Sequence, residues 1–418
     1  MVQPIQKSAI NRLILVAALG YFVDIYDLVL FGMERIASLK DILSKLNLNE
    51  TQLNEQITTV GAQLLSYQML GMLVGGLFWG ILGDKKGRLT VLFGSIIMYS
   101  LANIANGFIT DTFWYAILRF VSGFGLAGEL GAGITLVSES MSKEKRGIGT
   151  TIVASVGLLG AVVAGVTTIL VNNWRASYFI GGGLGLLLLF LRIGVFESGM
   201  FDHMKKDEGI KKGNFLFLFS KPKLFFKYLN IILIAVPVWF VMFFLVQFAP
   251  DMCKALGMTN GPTEARLSIM IAYIGITIGD VASGLLSQKL KSRKKVLALF
   301  IFLTFLMSVI YYLFANTNII VFYTIIFFIG FATGYWAVFM SAASELFGTN
   351  IRATVTTTAP NFVRGSVTIM ALVNSSIKPS VGLVYSSIYI GIVVFILAFL
   401  ANYFLEETFS KDLNYTEK

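Results

Sequence analysis

Apolar stretches of about 20 residues recur along the chain, and that is the length an α-helix needs to cross a bilayer. They fall near residues 11–33, 58–82, 89–109, 113–137, 148–171 and 176–196, then near 228–248, 267–288, 296–315, 319–343, 353–377 and 380–405. The predicted fold is an all-α membrane protein with twelve transmembrane helices in two sets of six. Residues 1–196 and 228–418 are the expected six-helix units, joined by a polar linker over 197–227. The third and fourth spans are so closely spaced that they form a helical hairpin. The first apolar stretch is too long for a cleavable signal peptide and lacks a small-residue cleavage site.

Charge content excludes the soluble alternative. Only 13 % of the 418 residues are charged, against about 25 % in soluble domains. The net charge of +10 does not point to nucleic acid, because the basic residues lie between spans, where they set orientation. With the N-terminus inside, the inner segments before the last span hold 21 Lys and Arg and the outer segments 7. Both termini are therefore expected in the cytoplasm. One cysteine, Cys253, and one histidine, His203, exclude a disulfide scaffold and a multi-histidine metal centre, so no metal or cofactor is expected.

Between spans one and two, Leu39, Ile42, Leu43 and Leu46 recur at helical spacing. They predict an amphipathic extension at the membrane surface over 34–57, ending in a capping-box pair of Asn49 and Gln52.

The two halves repeat each other. Gly80-Ile81-Leu82-Gly83-Asp84-Lys85-Lys86-Gly87-Arg88 follows the second span, and a related basic turn, Gly284 to Lys294, follows the eighth. Ser138-Glu139 precedes Arg146 by the same interval that separates Ser344-Glu345 from Arg352. Parallel six-span repeats are the build of alternating-access transporters, whose substrate site lies between the halves near mid-membrane.

These motifs resemble the major facilitator superfamily over nearly the whole chain: the Gly80–Arg88 loop, Arg119 with Gly123 and Glu139, and Glu406-Glu407-Thr408 after the last span. Within it, Asp24-Ile25-Tyr26-Asp27 and Ala127-Gly128-Glu129 are similar to the metabolite:proton and phosphate:proton symporter branches. Glu129-Leu130-Gly131, in place of an Asp-Tyr-Pro triplet, and Arg364, in place of a lysine, favour a small organic metabolite over phosphate. The resemblance implies a monomer in the inner (plasma) membrane of a bacterium.

An ionisable group at the bilayer centre is a functional candidate by default. Asp24 and Asp27, three residues apart and so on one helix face, are expected with Glu129 to carry a coupled proton. Glu129 lies in a run of small residues that lets its helix approach a neighbour closely. Arg119, Arg364, Asn361, Gln247 and Tyr26 are the expected substrate contacts, with Trp239, Tyr335 and Trp336 as further candidate cavity aromatics. Arg364 is expected to meet either Asp280 or a substrate carboxylate. Asp84 and Arg88 are expected to form a gate in which the carboxylate meets a helix N-terminus of the opposite half. Together they predict a proton-coupled symporter that imports a small carboxylate such as an amino acid or organic acid. A phosphate symporter and a substrate-sensing receptor are the alternatives. The absence of a G-x-x-x-x-G-K-[ST] sequence excludes an ATP-driven pump, and no nucleophile–base pair marks an enzyme.

Overall fold

The structure, a computed structural model, describes residues 7–46, 48–141, 146–192, 215–409, 411 and 415–417. Most of the linker, including His203 and four of its lysines, lies outside the described residues, as do Lys143 and Lys145.

Every regular element among the described residues is a helix. The first half contains α1 (Lys7–Leu43), α2 (Glu50–Lys86), α3 (Arg88–Asn106), α4 (Thr112–Leu126), α5 (Glu129–Ser140), α6 (Arg146–Val171) and α7 (Trp174–Leu191). The second half contains α8 (Pro222–Phe240), continued by a π-helical stretch Val241–Gln247, then α9 (Ala249–Ala255) and α10 (Arg266–Leu290). It ends with α11 (Arg293–Phe314), α12 (Ile319–Thr333), α13 (Trp336–Leu346) and α14 (Arg352–Phe404).

Eleven helical stretches among the described residues are long and apolar enough to cross a membrane. The last, α14, has 53 residues, or about 80 Å at roughly 1.5 Å per residue, more than twice the hydrocarbon thickness of about 30 Å. It is two spans. Gly382, at φ 80° and ψ 169°, occupies a backbone region essentially restricted to glycine and turns the chain back. The eleventh and twelfth spans lie on either side of it, which makes twelve.

The fourth and tenth spans are each broken rather than continuous. α4 and α5 are separated at Ala127–Gly128, and α12 and α13 at Gly334–Tyr335. Gly128 and Gly334 keep the 206-residue offset that relates Glu139 to Glu345, so the repeat extends to the breaks themselves. In the first half, a Cβ at Gly71, Gly75 or Gly123 would strike backbone of the facing helix, and α2 and α4 pack main chain on main chain.

The expected amphipathic extension after residue 33 continues α1, enclosed over its first turn and two-faced from Leu39 on. Glu34, Arg35 and Ser38 are buried together with Leu39, Ile42 and Leu43, whereas Lys40, Asp41, Ser44, Lys45 and Leu46 are exposed. The buried polar groups find partners within the protein, so the first turn beyond residue 33 can be enclosed while the end of α1 keeps a polar face. The capping box forms as spaced: Gln52 N–H donates to Asn49 Oδ1 at 2.9 Å and Asn49 N–H to Gln52 Oε1 at 3.2 Å. Across the halves, α2 packs on α14 and α6 on α10.

Gly382→Ala is expected to lower the folded-state stability by about 1–3 kcal/mol, since a Cβ strains that conformation. A fall in the thermal midpoint of the purified protein measures it.

Candidate functional site: a cavity between the halves

A narrow cavity with about 20 Å³ of free space lies between the two halves of the chain, enough for about one water molecule. It is lined by Tyr21 and Ile25 of α1, Leu158 of α6, Trp239 of α8, Tyr273 of α10 and Arg364 of α14, among others. Arg364 stands 12 residues beyond the start of α14, about 18 Å along the helix. It is 1 % exposed. Its guanidinium lies 5.8 Å from the Trp239 ring and 5.7 Å from the Trp336 ring, and one terminal nitrogen donates to Asn361 Oδ1 at 3.3 Å. The lining residues include no aspartate or glutamate. Arg364 Nε and Trp336 Nε1, both buried, have no hydrogen-bond partner among the described residues.

The anion opposite Arg364 is Asp24, with Nη2 to Oδ2 at 4.0 Å. Neither Asp24 oxygen accepts a hydrogen bond among the described residues. The contact is therefore electrostatic and loose, since a charge-assisted hydrogen bond spans about 2.7–2.9 Å. Asp280, the partner expected from the sequence, lies elsewhere. It accepts from Ala337 N–H at 2.8 Å and so caps α13, where the unsatisfied N–H groups of a helix start favour a carboxylate.

Asp24 and Asp27 do not share a cation. Asp27 packs against Gly181 of α7 and faces Arg119 and Asn103. Arg119 donates to Asn103 Oδ1 at 3.0 Å and sits 5.0 Å from the Tyr178 ring. A helical offset of three residues leaves about 60° between side chains, enough to send one carboxylate to the second half and the other into the first. Tyr26 lies beside Asp27 against Gly181, its hydroxyl donating to Ser177 O at 3.4 Å. Gln247 packs on Gly32. Asn361 donates to Ala127 O at 2.8 Å and Thr357 O at 2.7 Å, tying α14 to the break between α4 and α5. Of the five expected substrate contacts, this cavity is lined by Arg364 and not by Tyr26, Arg119, Gln247 or Asn361. Trp239 and Trp336 line it as well, whereas the Tyr335 hydroxyl donates to Ile234 O at 3.0 Å.

Glu129 has a partner that sequence reading missed. Arg192, just past α7, forms an ion pair with it, and the side chains are 1 % and 2 % exposed. Arg192 also donates to Leu92 O, and Ser95 donates to Glu129 at 3.5 Å. Gly20 leaves the space, since a Cβ there would overlap both side chains. At the border of its apolar stretch Arg192 resembles any residue that fixes topology, and nothing in its spacing links it to Glu129.

At the end of the molecule where α7 stops and α8 begins, here the linker end, Asp84 is fully buried at the start of α14. It accepts from Ala353 N–H at 3.2 Å, Thr354 N–H at 2.8 Å and the Thr354 hydroxyl at 2.6 Å. Arg88 lies 3.6 Å from Asp84 and 2.9 Å from Glu139, and Glu139 lies 3.4 Å from Arg352 of the other half. The repeat has its own version: Arg293 pairs with Glu345 at 3.2 Å. Beyond the last span, Glu407 accepts from Ser292 and from the N–H groups of Arg293, Thr408 and Phe409. Burial pushes its carboxyl up, but these donors outweigh it and hold it below its usual value.

The sequence profile of the Major Facilitator Superfamily matches residues 18–372. The chain belongs to that superfamily. A superfamily member of known structure, the proton:xylose symporter XylE bound to 6-bromo-6-deoxy-D-glucose, superposes with a TM-score of 0.76 over 98 % of both chains at 18 % identity. That shows the fold. Among curated relatives, the proline/betaine transporter of Escherichia coli K12 is 26 % identical over 76 % of this chain and 67 % of its own length. The sialic acid transporter NanX of the same strain is 27 % identical over 70 % and 68 %. The niacin transporter NiaP of Acinetobacter baylyi is 35 % identical over 28 % of each chain. With several other curated relatives the match spans about half of their length. This superfamily member is thus a multi-pass membrane protein and not an enzyme.

Glu129→Gln is expected to strand the Arg192 charge and lower stability by about 3–5 kcal/mol, whereas Glu129→Gln with Arg192→Met should recover most of it. Thermal unfolding followed by intrinsic fluorescence reads both.

Proposed function

We propose that the protein is a proton-coupled secondary transporter that imports a small carboxylate-bearing metabolite by alternating access. The observation that carries this reading is Arg364, buried in the cavity between the halves with Nε and the nearby Trp336 Nε1 free to donate. A guanidinium fork suits a carboxylate because two parallel donors fix orientation as well as charge. Apart from Thr333, the remaining lining is apolar or aromatic, with Tyr21, Ile25, Leu158, Trp239 and Tyr273 among it, which suits the apolar body of an organic acid better than a hydrated phosphate. Niacin, sialic acid and proline, named in three of the relatives, each carry a carboxylate, whereas nicotinamide and inorganic phosphate, named in others, do not.

Coupling follows from competition for Arg364. A substrate carboxylate that takes the guanidinium draws away the ion-pair partner that Asp24 has among the described residues, 4.0 Å away. A buried carboxylate without a partner is unfavourable as an anion, so Asp24 then binds the proton. Asp27, facing Arg119, is a second carrier. Glu129, held by Arg192, is a fixed charge of the helix packing.

Asp84 and Arg88 form the inner gate in this reading. The α14 start and Asp84 attract each other when the linker end is closed and separate when it opens. Residues 1–196 and 228–418 are the two moving bundles, joined by residues 197–227. The protein works as a monomer in a bacterial inner membrane, with both termini cytoplasmic.

Arg364→Lys should weaken binding of the transported carboxylate roughly 10- to 100-fold while the protein stays folded; unchanged affinity would remove the anchor. In proteoliposomes supplied with radiolabelled nicotinate, proline and N-acetylneuraminate, Asp24→Asn should retain exchange but lose accumulation driven by a pH gradient. Asp84→Asn should slow turnover without loss of folded protein, and wild-type turnover would remove the gate role.

A further inference from the structure

The end of the molecule opposite the linker carries a second set of ion pairs across the halves, built from two consecutive residues of α1. Glu34 accepts from Arg266, the first residue of α10, at 2.9 Å, and also from Ser177 at 3.0 Å. Arg266 reaches into the first half, donating to Thr168 O and Asn172 Oδ1, each at 3.3 Å. It also meets Glu264, its neighbour in the second half, at 3.2 Å.

Arg35, next in sequence and so about 100° around the helix, turns to a different element. It donates to Asp251 of α9 at 2.7 Å and stacks 4.1 Å from the Phe248 ring. Asp251 also accepts from Thr58 of α2 at 2.7 Å. Gly61 makes the seat for the Arg35 side chain, since a Cβ there would come within 2.6 Å of Arg35 Cδ.

We propose that Glu34, Arg35, Asp251 and Arg266 form the outer gate, a clasp of alternating charge that closes the cavity on the side away from the linker. The signs set its register. Acid then base on α1 meets base at 266 and acid at 251, so a slip that exchanged the partners would set like charges face to face.

The segment that carries Asp251 is built to move. α8 contains Pro237, continues as the π-helical stretch Val241–Gln247, and ends before α9 starts at Ala249. Proline and π-bulges are where helices bend, because the i→i−4 ladder is interrupted there. The two ends of the molecule also differ in access to water. At the linker end the Arg88, Asp84, Glu139 and Arg352 side chains are 0 % exposed, whereas in the clasp Glu34 and Arg35 are 0 % and 2 % exposed but their partners Arg266 and Asp251 are 10 % and 19 %. Water can replace the clasp partners as they part.

This inference rests on the alternating-access reading, and one experiment separates the two. Spin labels are placed on the full-length protein in a Cys253→Ala background, at Glu55→Cys and Asn260→Cys for the outer end and at Lys85→Cys and Lys289→Cys for the linker end. Double electron–electron resonance in lipid nanodiscs then gives both distances, with monodisperse elution as the folding check. Glu34→Arg and the milder Asp251→Asn are each expected to shift the outer pair to longer distances with the linker-end pair unchanged. Arg266→Glu added to Glu34→Arg should return the outer pair to its original distance. An outer distribution unchanged in both single variants overturns the clasp. If Asp84→Asn still lengthens the linker-end pair, alternating access stands without it. If no variant moves either pair, both fall.

Discussion

A charge buried at membrane depth must be matched by another, and the contact between Arg364 and Asp24 is the match made at the cavity. The two side chains come from opposite halves of the chain and stand 4.0 Å apart. The pair is close enough to lower the free energy of burying both ions, yet too loose to fix either by a direct hydrogen bond. Neither carboxylate oxygen of Asp24 has another partner among the described residues. Any anion that enters the cavity therefore acts on a contact that already spans the halves.

The buried charges elsewhere sort by how firmly they are held. Glu129 and Arg192 form a contact within the first half, with Gly20 making space for it. Asp84 satisfies the start of a helix in the other half through three donors, and Glu139 lies between Arg88 and Arg352. Pairs inside one half can persist through a rocking motion, whereas pairs across the halves must break on one side when the cavity opens there. In the proposed alternating-access cycle the same chemistry serves packing in one place and gating in another, depending on which helices supply the partners.

The twelve spans and the superfamily were legible in the sequence because both rest on local pattern: runs of apolar residues, and Gly, Asp and Arg at fixed spacing in the Gly80–Arg88 turn. The placement of Asp84 at the start of α14 was also foreshadowed, since that motif carries a carboxylate facing a helix end. What sequence did not disclose is pairing at long range. Arg192, Glu34 and Arg266 lie near the borders of apolar stretches, where charge ordinarily sets topology, and their partners are 63 or 232 residues away. Ending the first span near residue 33 hid the burial of Glu34 and Arg35. Asp280 was expected near Arg364 because both are deep in their spans, but depth does not fix which way a side chain turns, and a helix N-terminus holds Asp280. The break between the last two spans was read at 378–379, three residues short of Gly382, because hydropathy counts residues and does not report φ.

The central claim is that Arg364 selects a carboxylate. The most direct test is the thermal midpoint of the purified protein with matched acids and amides, nicotinate against nicotinamide and proline against prolinamide, repeated in Arg364→Lys. A ligand that binds the folded state raises the midpoint by mass action. The account predicts that a carboxylate stabilises the wild-type protein, that its amide does not, and that the shift is lost in Arg364→Lys. Equal stabilisation by acid and amide, or a shift that survives in Arg364→Lys, would contradict it.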